Sequence, residues 1–127
     1  MKTLVIGGTG TVGSLVVQEL LRRNQEVRVL VTSSEKAYQL PAGVEFRIGN
    51  LDEPATLPKA FDGIDRVFLL NRQSLTEVAQ GMYAVFAAQR AGVSKIVYQS
   101  IHNVRQGGIF RISARKFRLK MPLYGPE

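Results

Sequence analysis

The run Thr-Leu-Val-Ile-Gly-Gly-Thr-Gly-Thr-Val-Gly, residues 3–13, constrains this chain more than any other stretch. Leu4-Val5-Ile6 reads as a short buried strand that breaks at Gly7-Gly8. A helical pattern follows at once, with Val12, Val16 and Leu20 four apart and Leu15 beside them. A glycine-rich turn from a first strand into a helix is where the pyrophosphate of a dinucleotide sits. There the unpaired N–H groups and the positive dipole end of the helix face the anion.

The register of the glycines matters. Gly8-x-Gly10-x-x-Gly13 satisfies the GxGxxG expression, but it begins one residue late. Counted from the strand end, that pattern wants glycines at 7, 9 and 12, where this chain has Thr9 and Val12. Gly7-x-x-Gly10-x-x-Gly13 fits instead. Gly7 makes the turn, Gly10 lets backbone approach phosphate, and Gly13 lets the helix pack on the strand, three jobs that favour the absence of Cβ. A glycine triad also occurs in purely structural turns. The second apolar strand, Val27 to Val31, supplies the context of a βαβ unit.

Further strands fall at Val44–Ile48, which alternates and should be half covered, at Val67–Leu70, continuous and buried on both faces, and at Lys95–Ser100. Between them lie a first helix capped near Asn24, a helical turn from Lys36 to Leu40, and a helix opening at Asp52 or, given Pro58, later. The longest helix opens on the capping box Ser74-Leu75-Thr76-Glu77, presents Val78, Met82, Val85 and Phe86 on one face, and closes at Gly92. Five strands alternating with four helices predict an α/β fold, a doubly wound parallel sheet of Rossmann-like type with strand order 3-2-1-4-5. Its crevice should lie at the carboxyl ends of strands 1 and 4.

The 127 residues suffice for one domain with a core and contain no cysteine, which excludes thiol catalysis and cysteine metal sites. With His102 the only histidine and no paired carboxylate motif, no metal site is expected. Met1-Lys2-Thr3 runs straight into the first strand, and no apolar run nears the roughly twenty residues of a membrane span. A cytoplasmic protein without membrane contact is the expectation.

The net charge of +7 divides unevenly. Residues 1–100 hold eleven Lys and Arg against nine Asp and Glu; residues 101–127 hold six basic groups against Glu127. The basicity belongs to the tail.

With these residues placed, the chain resembles the NmrA-like branch of the atypical short-chain dehydrogenase/reductase superfamily. The likeness rests on Gly7-Gly8-Thr9-Gly10-Thr11-Val12-Gly13 and on Gly49-Asn50-Leu51-Asp52. Asp62 to Leu70 and Ala91-Gly92-Val93-Ser94-Lys95-Ile96-Val97 complete it, over residues 1 to about 103. The resemblance implies NAD(P) bound across the strand ends, with Gly7, Thr9, Gly10, Thr11, Val12 and Gly13 at the pyrophosphate. The family commonly has an arginine for the NADP 2′-phosphate where Thr32 stands, and no acid stands there to grip a ribose hydroxyl. Ser33, Ser34 and Lys36 suit a phosphate, so the cofactor expected is NADP, with NAD as the alternative. Asn50, with Leu51 beside it, replaces a family aspartate near the adenine; an asparagine can donate or accept there. Leu70, Asn71 and Arg72 would lie beside the nicotinamide ribose, unless Asn71 and Arg72 are simply loop polars.

Short-chain dehydrogenases usually relay a proton through Tyr-x-x-x-Lys, which does not occur here. The family's His-Phe-x-x-Lys segment is missing too, Ser100 reads as structural, and His102 has no partner in the sequence, so the catalytic residues stay unassigned. From about Val104 the chain departs from its relatives. Residues 1–103 read as the NAD(P)-binding domain and 104–127 as an irregular basic tail, with the C-terminal part of the family fold missing and strand 5 a bare edge. Read two bases downstream, Phe110 to Met121 can encode Pro-His-Phe-Gly-Ser-Lys-Val-Pro-Ile-Glu-Asn-Ala, which contains the missing segment. A shift of frame near residues 104–109, followed by early termination, is therefore expected ahead of a selected basic arm.

Three functions are carried forward. The first is an NAD(P)-binding protein acting as an oxidoreductase on quinones or other carbonyl compounds, or as a nicotinamide redox sensor. The second is a truncated cofactor-binding remnant without activity, and the third a nucleic-acid-binding module using the tail. The sequence names neither substrate nor oligomeric state.

Overall fold

The computed structural model describes residues 1–71, 77–100 and 108–112. β1 (Lys2–Ile6) leads through the glycine turn into α1 (Thr11–Arg22), which returns to β2 (Glu26–Val31). A short α2 (Ser34–Ala37) and β3 (Glu45–Ile48) follow. A 3-10 turn (Pro54–Thr56) runs into α3 (Leu57–Phe61), then come β4 (Arg66–Asn71), α4 (Glu77–Ala91), β5 (Lys95–Ser100) and β6 (Gly108–Ile112). Of the two starts the sequence allowed for the third helix, the later one is realised, with a proline at its first turn where no N–H is needed. Ser74, the cap expected for α4, lies outside the described residues.

Five strands lie parallel in the order β3-β2-β1-β4-β5. Each parallel step needs a helical crossover, and right-handed crossovers place α1 on one face and α3 with α4 on the other. The two faces bury separate cores. One unites Leu4, Ile6, Phe61, Val67, Leu69 and Ile96 with the small residues of α4; the other packs Val5, Val27 and Val29 against Val17 of α1. α3, with five residues, is too short to persist alone. Full burial of Leu57 and Phe61 anchors it, each contributing about 1.5–3 kcal/mol.

Helix ends follow their residues. Asn24 takes a left-handed φ of 59° after α1, where asparagine is tolerated better than most. Gly92, at φ 80°, closes α4 while Val93 N–H donates to Ala88 O at 2.9 Å.

The two long helices follow the faces their periodicity suggested only in part. On α1, Val16 and Leu20 pack against the core beside buried Val17, while Val12 and Leu15 are exposed. On α4, Ala84, Val85 and Ala88 are buried and Met82 and Phe86 point outward, Phe86 beneath the Arg90 guanidinium at 5.6 Å. Alanines let that helix sit close to the sheet, and the bulky residues are left for the outer side. β3 is also barer than expected: as an edge strand it leaves Phe46, Arg47 and Ile48 exposed.

One cation is buried within the apolar β2. Arg28 donates to Glu45 Oε2 at 2.6 Å and to the carbonyls of Ala60 and Asp62 at 2.9 and 2.7 Å. It ties β2, β3 and the end of α3 together. Glu45 also accepts from Lys2 Nζ at 3.0 Å. Lys2 and then Arg28 hold its carboxyl below the usual carboxylate range, against the opposing effect of desolvation.

Where the sequence suggested irregular chain and a bare edge, residues 108–112 form a sixth strand. It runs antiparallel to β5, from Ile96 opposite Ile112 to Ser100 opposite Gly108. The reason lies in Gly-Ile-Phe-Arg-Ile itself: β-branched and aromatic residues beside an unpaired edge take its backbone hydrogen bonds.

Candidate functional site

β1 and β4 are neighbours, and the chain leaves them in opposite directions, toward β2 and toward β5. Helices therefore diverge above their carboxyl ends and leave a crevice between them. Gly7 forms its floor. Its φ of 93° disfavours any side chain, and an added Cβ would stand 2.8 Å from Leu70 O of β4. Gly10 N–H donates back to Gly7 O at 3.2 Å, tightening the turn, and Ser14 N–H donating to Gly10 O starts the α1 ladder.

Gly13 is buried, and a Cβ there would lie 1.8 Å from Gly7 O. The helix touches the turn at this point and accepts no larger residue. Gly10 differs: an added Cβ would meet only Gly7 O, at an ordinary 3.5 Å. Gly10 caps α1 in extended conformation without a side-chain cap, and the first turn holds no acid. The leading N–H groups of the helix and its positive dipole end are thus left uncompensated beside the crevice.

The crevice opens into a cleft of about 310 Å³. Gly7, Thr9 and Gly10 line one end; Thr32 and Lys36, just past β2, line the side and bring one positive charge. Asn50 and Leu51 close the far wall, with Leu70 from β4. These eight expected residues are brought together. Thr11 and Val12 are exposed on the first turn of α1, Gly13 is inside the packing, and Ser33 stands half-buried ahead of α2; these four are not on the lining. Asn71 ends β4, while Arg72 and His102 lie outside the described residues.

Ile6, Leu30 and Gln80 also line the cleft and were not singled out in the sequence. Leu30 is the second-last residue of β2, close to the expected site residue Thr32, and could have been inferred. Gln80 could not, because α4 meets the β3 side only through the tertiary fold. The resolved carboxyl perturbations lie elsewhere: at Glu45, and at Glu19, which Arg22 and then Arg23 hold down to about 2 on the exposed end of α1. Among the described residues no cluster of acids and histidines could hold a metal ion.

A model of the NmrA-like family matches residues 1–121, so the likeness continues past residue 103, where the sequence reading had it stop. An NAD(P)H azoreductase from Xenophilus azovorans is 41% identical over 95 residues, covering 74% of this chain and 33% of that protein. A photosystem II assembly factor, Ycf39 from Trieres chinensis, is 33% identical over 132 residues, covering 97% of this chain and 41% of its own length. Among solved structures, the Citrobacter sp. triphenylmethane reductase complexed with NADP(H) superposes with a TM-score of 0.70 at 33% identity, over 76% of this chain and 36% of the reductase. The NADPH complex of the Escherichia coli quinone oxidoreductase QOR2 gives 0.70 at 26% identity, over 76% of this chain and 35% of the other. The chain thus spans between a third and two-fifths of the length of these relatives.

Proposed function

The chain belongs to the NmrA-like family, and from that footing we propose that its cleft binds a nicotinamide dinucleotide, NADP(H) in preference to NAD(H). The observation that carries this is the uncapped N-terminus of α1 at Gly10, opening on a cleft that runs on to Lys36. The residues fit such a group. Open space at Gly10 admits a phosphate against backbone, the Lys36 ammonium suits a phosphate on the ribose, and the leucines offer flat apolar walls. The azoreductase, an NAD(P)H enzyme by name, supports a nicotinamide dinucleotide, and the two reductases crystallised with NADP(H) or NADPH support the phosphorylated form.

In this reading Gly7, Thr9 and Gly10, with the first-turn backbone of Thr11, Val12 and Gly13, hold the pyrophosphate. Thr32, Ser33 and Lys36 meet the ribose phosphate, Asn50 and Leu51 the adenine, and Leu70, Asn71 and Arg72 the nicotinamide side. The bound group would supply a hydride. The family reading then gives a reductase of quinones or related acceptors, or a redox sensor.

Calorimetric titration with NADPH and NADH tests the proposal. NADPH should bind more tightly, by a modest factor because Thr32 is uncharged. Thr32→Arg should widen the margin by up to about tenfold, the worth of one charge-assisted contact. A parent that prefers NADH, or an arginine without effect, would sink the NADP assignment.

A further inference from the structure

The outward side of α4 carries a short apolar stripe. Gln80 Nε2 donates to Asp52 Oδ1 at 3.0 Å, which turns that flank of the helix toward the β3 side of the sheet. At 3.6 residues per turn, Met82 lies about 200° and Phe86 about 240° farther round. Both therefore stand on the opposite flank, the one nearer β5 and β6. Met82 is 56% exposed and Phe86, beneath Arg90, 55%. Four residues apart, they form one stripe along the helix.

The chain itself comes back to this flank. β6 runs antiparallel to β5 and ends with Ile112 opposite Ile96, near the start of β5. Only Gly92–Ser94 separate the end of α4 from that same start. The chain thus leaves β6 at the end of the sheet where α4 finishes. Residues 113–127 lie outside the described residues, but their sequence has a pattern: Lys116-Phe117-Arg118-Leu119-Lys120-Met121 alternates cation and apolar residue, and Pro122 ends the run. In extended chain, Phe117, Leu119 and Met121 share one side, about 6.6 Å apart. That nearly matches the rise of about 6 Å from Met82 to Phe86.

We propose that residues 116–121 dock along the outer flank of α4 as an extended strap antiparallel to the helix, with Phe117 against Phe86 and Leu119 against Met82. The reach suffices. Residues 113–116 span about 13 Å and the whole of 113–127 about 50 Å, against about 22 Å for α4. Arg115 and Lys116 pass the carboxyl end of α4, where the helix dipole favours cations, while Arg118 and Lys120 face water. This docking requires no dinucleotide in the cleft.

The absence of cysteine from the chain makes the test direct. In the full chain, Met82→Cys with Leu119→Cys should close a disulfide under mild oxidation, which needs Cα atoms within about 7 Å. The control combines Leu119→Cys with Leu15→Cys, on the exposed side of α1 across the sheet. Tethering alone favours both pairs, so docking should make the first close faster by about tenfold or more. A second measurement needs no variant. With methionine methyl groups labelled in the parent, the Met82 ε-methyl should show a nuclear Overhauser contact to the Phe117 ring. Absence of that contact overturns the strap, as do equal closure rates for the two folded pairs. A disulfide formed between chains rather than within one also overturns it and assigns the flank to a second copy.

Discussion

Gly10 and Gly13 are three residues apart in one turn, yet their substitution should fail in opposite ways. A side chain at Gly13 drives into Gly7 O, which only movement of α1 can relieve. Gly13→Ala should therefore cost about 1–3 kcal/mol or more and lower the melting temperature by several degrees. Gly10 sits at φ −80°, which any residue adopts, with room for a Cβ. Gly10→Val should leave circular dichroism and melting nearly unchanged while abolishing NADPH binding by calorimetry. Equal NADPH affinity in Gly10→Val and parent would remove the turn from the phosphate site. At this scale much was legible. The tasks of Gly7 and Gly13 follow from local chain geometry, and the sequence carries that. Gly8 was not legible: an added Cβ would strike Val29 Cγ1 at 2.8 Å, and Val29 arrives from a different strand. Gln80 escaped for the same reason, since its partner Asp52 lies 28 positions away.

Among elements, the junction of β2, β3 and α3 depends on charge buried at the sheet's side. Arg28 could not be distinguished in sequence from a misplaced polar residue within an apolar strand, because its partners come from residues 45, 60 and 62. Glu45 gives this junction an acid sensitivity. Its carboxyl titrates below the ordinary value in the folded chain, chiefly through Lys2 and then Arg28. A group lowered on folding adds stability above its unfolded pKa, and that stability is lost as pH falls through the folded value. The parent's melting temperature should therefore fall on acidification from about pH 5 to about pH 3, partly through Glu45. Glu45→Gln should be less stable at neutral pH by about 1–3 kcal/mol, since Arg28 loses its anion, and should show a flatter acid limb. Parallel melting curves for the two proteins across that range would exclude Glu45 as the source. The face of α4 shows a second limit of periodicity: helical spacing marks apolar positions, but the close approach of Ala84 and Ala88 decides which of them face the sheet.

For the whole molecule, the order of the five parallel strands was legible because crossover handedness leaves few alternatives. β6 was not, because the charge of the tail obscured a short β-prone run. Its pairing has a measurable role. A chain ending at residue 103 would expose the backbone edge of β5, and such edges recruit one another. That shorter chain should melt lower than the 127-residue protein and scatter light increasingly with concentration. Identical melting and scattering would mean that β6 contributes nothing to the sheet. Sequencing the gene across codons 100–127 addresses the separate expectation of a shifted reading frame.

The central place of β1 bears on the order in which the chain can be built. Its flanking partners are β2 (Glu26–Val31), close in sequence, and β4, whose pairing joins Thr3 to Arg66. A ribosome delivers the chain in order, so the strand that carries the phosphate turn emerges before β4 and must wait for the second half of its sheet. During that wait Leu4, Val5 and Ile6 have one edge and part of one face uncovered, while β1, α1 and β2 can associate as a local unit. The glycine turn is therefore shaped early in synthesis. The crevice above it forms only when a segment some sixty residues younger arrives to complete it.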